Sequence, residues 1–135
     1  MNGFNTGELE DDWLILPGFN KDIYNNVVLS FETWKRFGFE DDDNYFKLLY
    51  STDYEGMGNP TIANWTELTF NQPVDEQVWE SSGNIDLNSL QGELVYIAFR
   101  YHYNAGAYRL WQVDNISITG DFNSGNLPVK LAITD

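Results

Sequence analysis

The sequence predicts an all-β chain: one antiparallel β-sandwich spanning residues 1–135. Three observations predict it. Apolar and aromatic residues recur with a period of two, turn-forming clusters separate these runs, and no alternation of strands with helical segments is present.

Taken in chain order, the first strand candidate is Trp13–Leu16. A second run alternates Leu29, Phe31 and Thr33 with Ser30, Glu32 and Trp34, and a third places Phe46, Leu48 and Tyr50 on one face. Shorter candidates cover Trp65–Phe70 and Val78–Ser82. The longest alternation sets Val95, Ile97, Phe99, Tyr101 and Tyr103 against Tyr96, Ala98, Arg100 and His102. Leu110–Thr119 follows with Ile116 and Ile118 on one face, and Leu127–Ile133 closes the series. β-Branched and aromatic side chains suit a pleated, half-buried surface. Between the runs lie Asp53–Pro60, Gly83-Asn84, Asn104-Ala105-Gly106 and Gly120–Asn126, all turn formers by composition. The one helical candidate, Asp86–Gln91, is no longer than a turn or two.

Composition narrows the partners. Seven Lys and Arg against 21 Asp and Glu leave a formal charge of −14. Phosphate neutralisation requires basic patches, so a nucleic-acid partner is excluded, and docking to anionic lipid is disfavoured for the same reason. Hydrophobic residues at 42% are enough for a folded core. With no cysteine, disulfides, thiolate metal sites and Cys nucleophiles are excluded. No apolar run is long enough to insert in a membrane, and no signal peptide is recognisable.

Catalytic chemistry has little support. His102 is the only histidine and falls within the strongest strand, opposite Ile97 and Phe99. A serine such as Ser81 or Ser82 would have to reach it through folding, and no nucleophile-elbow pattern is present. Paired carboxylates, for instance Glu67 or Asp53, would serve a small hydrolase, but among 21 acids such pairs arise by chance. The expectation is no enzyme activity.

Oxygen ligands are plentiful, and the hard cation they suit is Ca²⁺. The acidic clusters are Glu8–Asp12, Glu40–Asn44 and Asp114-Asn115, none with EF-hand spacing. The run Glu40–Asn44 reads as a solvated hairpin loop. Asp12 and Asp114 differ because each adjoins apolar strand residues, where a bare carboxylate is costly. Backbone N–H groups, an arginine or a metal would each satisfy them. The five tryptophans and eight tyrosines exceed what a small core needs. Aromatic faces stack on the C–H faces of sugar rings while acids and amides bond the hydroxyls. Trp34, Tyr101, Tyr103, Tyr108 and Arg109, at a strand end or around the loop 104–107, are therefore candidate ligand-binding residues.

Seven blocks occur in a distinctive order: Asp11–Pro17, Val28–Phe31, Leu48–Tyr54, Trp65–Leu68, Ser82–Leu87, Val95–Tyr101 and Trp111–Ile116. In that order they resemble the choice-of-anchor J and cleaved-adhesin domains, a MAM-like jelly-roll group of secreted and surface proteins of Bacteroidetes. The resemblance implies a galactose-binding-like or MAM-like jelly roll, secreted or on the cell surface. It would be a non-catalytic adhesion module, appended to a larger protein, that recognises carbohydrate or a host surface protein. A purely structural spacer is the alternative. Carried over, a structural Ca²⁺ would be held by Asp12 and Asp114, with Asp11 and Asn115 as weaker additions. Members of the group also carry an early strand before the Asp-Trp-Leu block, and only ten residues precede Asp11 here. Residues 120–135 are then expected to act as an extension or replacement edge strand; an uncovered edge would favour a homodimer. Sequons at Asn64-Trp65-Thr66 and Asn115-Ile116-Ser117 are present, the second in a predicted strand where a glycan fits poorly.

Overall fold

The computed structural model describes residues 8–123 and 130–134, and these form two antiparallel sheets facing one another. The strands are β1 (Glu10–Ile15), β2 (Tyr24–Arg36), β3 (Tyr45–Ser51), β4 (Thr66–Leu68), β5 (Glu80–Ser81), β6 (Ile85–Asp86), β7 (Tyr96–Tyr103), β8 (Leu110–Phe122) and β9 (Lys130–Thr134). One sheet runs β1-β7-β3-β4; the other runs β5-β2-β8-β9, with β6 also on β2. The chain crosses between sheets from β1 to β2, β2 to β3, β4 to β5, β6 to β7 and β7 to β8. Neighbours within a sheet are therefore mostly distant in sequence, the crossing pattern of a jelly-roll sandwich.

The period-two runs become strands because each has one face to bury. On β7, Ile97, Phe99, Tyr101 and Tyr103 all point into the core, joined by Leu29 and Phe31 of β2, Phe46 and Leu48 of β3, and Trp111, Ile116 and Ile118 of β8. Phe99 packs edge-on against Phe31, with ring centroids 4.8 Å apart. Two short 3₁₀ turns, Lys21–Ile23 and Pro60–Ile62, are each capped by the preceding Asn side chain, which accepts from a backbone N–H. The helical candidate at 86–91 is instead the end of β6 and a tight turn. There Asp86 Oδ1 accepts from the Asn88 N–H at 2.8 Å, and the Leu90 N–H bonds to Leu87 O.

Two local departures from regular pleating shape the surface. β8 bulges against β2 between its pairings with Ser30 and Glu32, and Asn115 takes up the extra residue at φ 52°. Asparagine tolerates that left-handed region because its short side chain bonds locally. The connection from β2 to β3 begins with Phe37 at φ 65° and Gly38 at φ 63°. At Gly38 a Cβ would sit 2.2 Å from the Tyr108 carbonyl oxygen, so the close approach admits only glycine.

The outer face of the four-stranded sheet is partly roofed. Leu49 and Ala98 lie on that face yet are buried, because Tyr54 and Trp65, from the 52–65 connection, fold back over it. Trp65 reaches Trp13 of β1 with ring centroids 5.1 Å apart and donates its Nε1–H to Pro60 O. Asp53 anchors the connection. Its two oxygens accept from the backbone and side-chain amides of Asn64, and Oδ1 also accepts from the Ser51 hydroxyl. Those bonds hold its carboxyl below the ordinary value of 3.8.

Candidate functional site

The sandwich has an open side. β1 is the last strand of its sheet, and β9 pairs only with Ser117–Asp121. Among the described residues, the outer edge of β8 from Leu110 to Ile116 thus has no strand beside it. A cleft of about 510 Å³ lies there, lined by Trp13 and Leu14 of β1, Phe46 of β3, Trp79 just before β5, and Trp111, Gln112, Val113 and Asp114 of β8.

The cleft has a built floor and an open wall. Phe46 and Trp111 are buried and stacked, with centroids 4.6 Å apart and planes 13° from parallel. The Arg100 guanidinium lies over the Trp13 ring at 4.7 Å. Trp79 is 45% exposed and, among the described residues, has neither a hydrogen bond nor a ring partner. Gln112 and Asp114 supply the polar lining; Asp114 Oδ1 accepts from the Asn115 N–H at 2.8 Å. Trp34, half-buried on β2, stands opposite Gln112 in register. Two other depressions, of about 440 and 470 Å³, are mainly polar, and the Phe70 ring at one of them packs inward on Phe31.

Most of the ligand-binding residues chosen from the sequence lie elsewhere. Tyr101 and Tyr103 are 0% exposed and stack on each other in the core, so neither can present a ring to a sugar. They share the inward phase of Ile97 and Phe99. The Tyr108 hydroxyl donates to Glu8 O at 2.8 Å. Arg109 pins the strained turn: its Nε and Nη2 donate to the carbonyls of Phe37 and Gly38 at 2.7 and 2.8 Å, with Glu76 3.9 Å away. Of the five, Trp34 alone adjoins the cleft. Trp13 and Trp79 were passed over. The signal for Trp79 is its setting, the one aromatic residue in the stretch Asn71–Ser81.

The four calcium positions do not assemble. Both Asp11 oxygens are engaged by Arg100, at 2.8 Å from Nε and 2.9 Å from Nη2. Asn115 Nδ2 donates to Glu32 Oε2 at 2.7 Å. Asp12 and Asp114 are both exposed, one on an edge strand and one at the bulge, so neither carries the burial cost that would demand a cation. Partial desolvation and nearby Glu10 still raise the Asp12 carboxyl above its usual value. Among the described residues no three His, Cys, Asp or Glu side chains form a cation-holding group. The described residues thus bring no third such ligand to Asp12 or Asp114.

The residues weighed for catalysis have other partners. His102 Nδ1 donates to Asp43 O at 2.6 Å and its ring stacks on Tyr45. The Ser82 hydroxyl accepts from the Phe31 N–H and donates to Gly83 O. Glu67 lies 3.8 Å from Lys47. Among the described residues no helix is long and apolar enough to cross a membrane.

The profile of a domain of unknown function, DUF5017, matches residues 4–134. No curated protein matches the chain. With nearly every residue inside that match, this β-sandwich belongs to the DUF5017 family.

Proposed function

We propose that this domain is a non-catalytic binding module that recognises carbohydrate in the cleft between β1 and β8. The observation that carries the reading is the exposed indole of Trp79 in a lining that also holds Gln112 and Asp114. Indole faces cover the C–H faces of a pyranose, and the amide and carboxylate bond its hydroxyls. The block order shared with choice-of-anchor J and cleaved-adhesin domains supports placing the module in a larger secreted or surface protein. A spacer domain is the competing role.

A glycan array probed with the labelled domain, alongside Trp79→Ala, tests the proposal. Binding to a related set of glycans, lost in Trp79→Ala with unchanged melting, is the expected result. An array blank for every sugar would favour the spacer.

A further inference from the structure

We infer that the turn after β2 docks a basic, apolar segment of a partner protein, on a surface that does not depend on the carbohydrate reading. Phe37 and Phe39 lie in this turn and are 55% and 51% exposed. Phe37 is held at φ 65°, a conformation that is costly for a bulky side chain and free for glycine. The chain thus keeps a large ring in water at a position that glycine would occupy without strain. Backbone strain of this kind clusters where a protein engages a ligand. The turn is also fixed in place. Arg109 donates to the Phe37 and Gly38 carbonyls, the Phe39 N–H bonds to Ala107 O, and the Arg36 guanidinium lies 4.4 Å from the Phe37 ring centroid. Rings presented on a fixed backbone lose little conformational entropy when a partner covers them.

Charge selects the occupant. Glu40, Asp41, Asp42 and Asp43 follow Phe39 directly, and Glu76 reaches the turn 3.9 Å from Arg109 Nη2. Asp41 is engaged within the loop, where it accepts from the N–H groups of Asp43 and Asn44. Glu40, Asp42 and Asp43 form no ion pair among the described residues. Of the cations nearby, Arg109 is largely buried and bound to the turn, and Arg36 lies against Phe37. The apolar surface therefore has an acidic rim, on a chain whose charge is −14. Lys and Arg of a partner would be steered to that rim, while a second copy of this chain or an anionic bilayer would be repelled. Val78 adds a third exposed apolar side chain, at 49%, next to Gln77, whose N–H bonds to Lys35 O near the end of β2. Aromatic side chains with a polar rim are the make-up of a protein–protein interface.

The test is a selection of phage-displayed random dodecapeptides on the whole domain, followed by calorimetric titration of the enriched peptides. The expected result is enrichment of sequences that carry Lys or Arg beside aliphatic or aromatic residues. Phe37→Gly and Phe39→Ser should each weaken such a peptide at least about ten-fold, and Phe37→Gly should melt no lower than the parent. Glu40→Gln should weaken it about three-fold and flatten its salt dependence. Ile62→Ser, at an 83% exposed residue in the connection that leaves the opposite end of β3, should leave binding unchanged. Enriched peptides without basic residues would overturn the inference, as would peptides bound equally by Phe37→Gly and Phe39→Ser, or a selection that enriches nothing. Self-association in sedimentation that disappears in Phe37→Gly would make the occupant a second copy. Binding to phosphatidylcholine vesicles that is lost in the same variant would make it a bilayer. Either result overturns the basic-segment reading.

Discussion

The Trp111 indole donates its Nε1–H to the Tyr103 hydroxyl at 3.2 Å, a bond across the core from β8 of one sheet to β7 of the other. Both side chains are buried, and Phe46 stacks on the indole from β3. Burial also pushes the Tyr103 hydroxyl well above the ordinary phenol range, so it stays protonated in any physiological buffer. The contact fixes how the two sheets sit at the base of the cleft. Tyr103→Phe removes a buried hydrogen-bond partner and should cost about 1–3 kcal/mol in urea unfolding. Trp111→Ala should cost about 3–5 kcal/mol, because it opens a cavity under the site. An unchanged midpoint in Tyr103→Phe would contradict this reading of the bond.

The turn after β2 stores strain. A phenylalanine at φ 65° is unfavourable, and Arg109 holds it there through the carbonyls of Phe37 and Gly38. Phe37→Gly should therefore fold at least as stably as the parent. Gly38→Ala should lose at least about 1 kcal/mol, since its Cβ would strike the carbonyls of Ala107 and Tyr108. Thermal melts of the two variants check the pair; an indifferent Gly38→Ala would mean that the turn can open.

Acid should release the connection roofing the outer face. The Asp53 carboxyl is held below 3.8 by Asn64 and Ser51, so its contribution is present above that value. It is lost as pH falls through the depressed folded value. The melting difference between the parent and Asp53→Asn should accordingly be widest near neutral pH and shrink below about 3.8. A difference constant across that window would show that Asp53 does not act through its charge.

Calcium should leave the melting temperature where EDTA leaves it. An ion bound only by the folded chain would stabilise by about 2.7 kcal/mol at about 100 times its dissociation constant, several degrees for a domain of this size. Asp11 serves Arg100 instead, so Asp11→Asn should lower the midpoint slightly in either buffer. A clear upward shift with calcium would contradict that assignment.

The architecture was legible because each long run has one buried face. The alternation of residues 95–103 predicts β7, and the same alternation already placed Tyr101 and Tyr103 inward with Ile97 and Phe99. Choosing those tyrosines as a sugar platform gave their chemistry priority over their phase. The cleft was not legible. It arises where β9 stops short along β8 and where β1 ends its sheet, and no local pattern encodes either fact. The bulge at Asn115 was equally hidden. It leaves Asp114 and Asn115 both exposed and turns Ile116 back into the core. The pairing of Asp11 with Arg100 spans 89 residues of sequence and depends on β1 lying beside β7.

The most direct test of the binding site is a nitrogen–proton NMR titration of the folded domain with a glycan identified on the array. The account predicts shifts at the indole N–H groups of Trp79 and Trp13 and at the side-chain amide of Gln112, all saturating together. Shifts confined to Tyr45 and His102 on the outer sheet face, with the Trp79 indole unmoved, would contradict it.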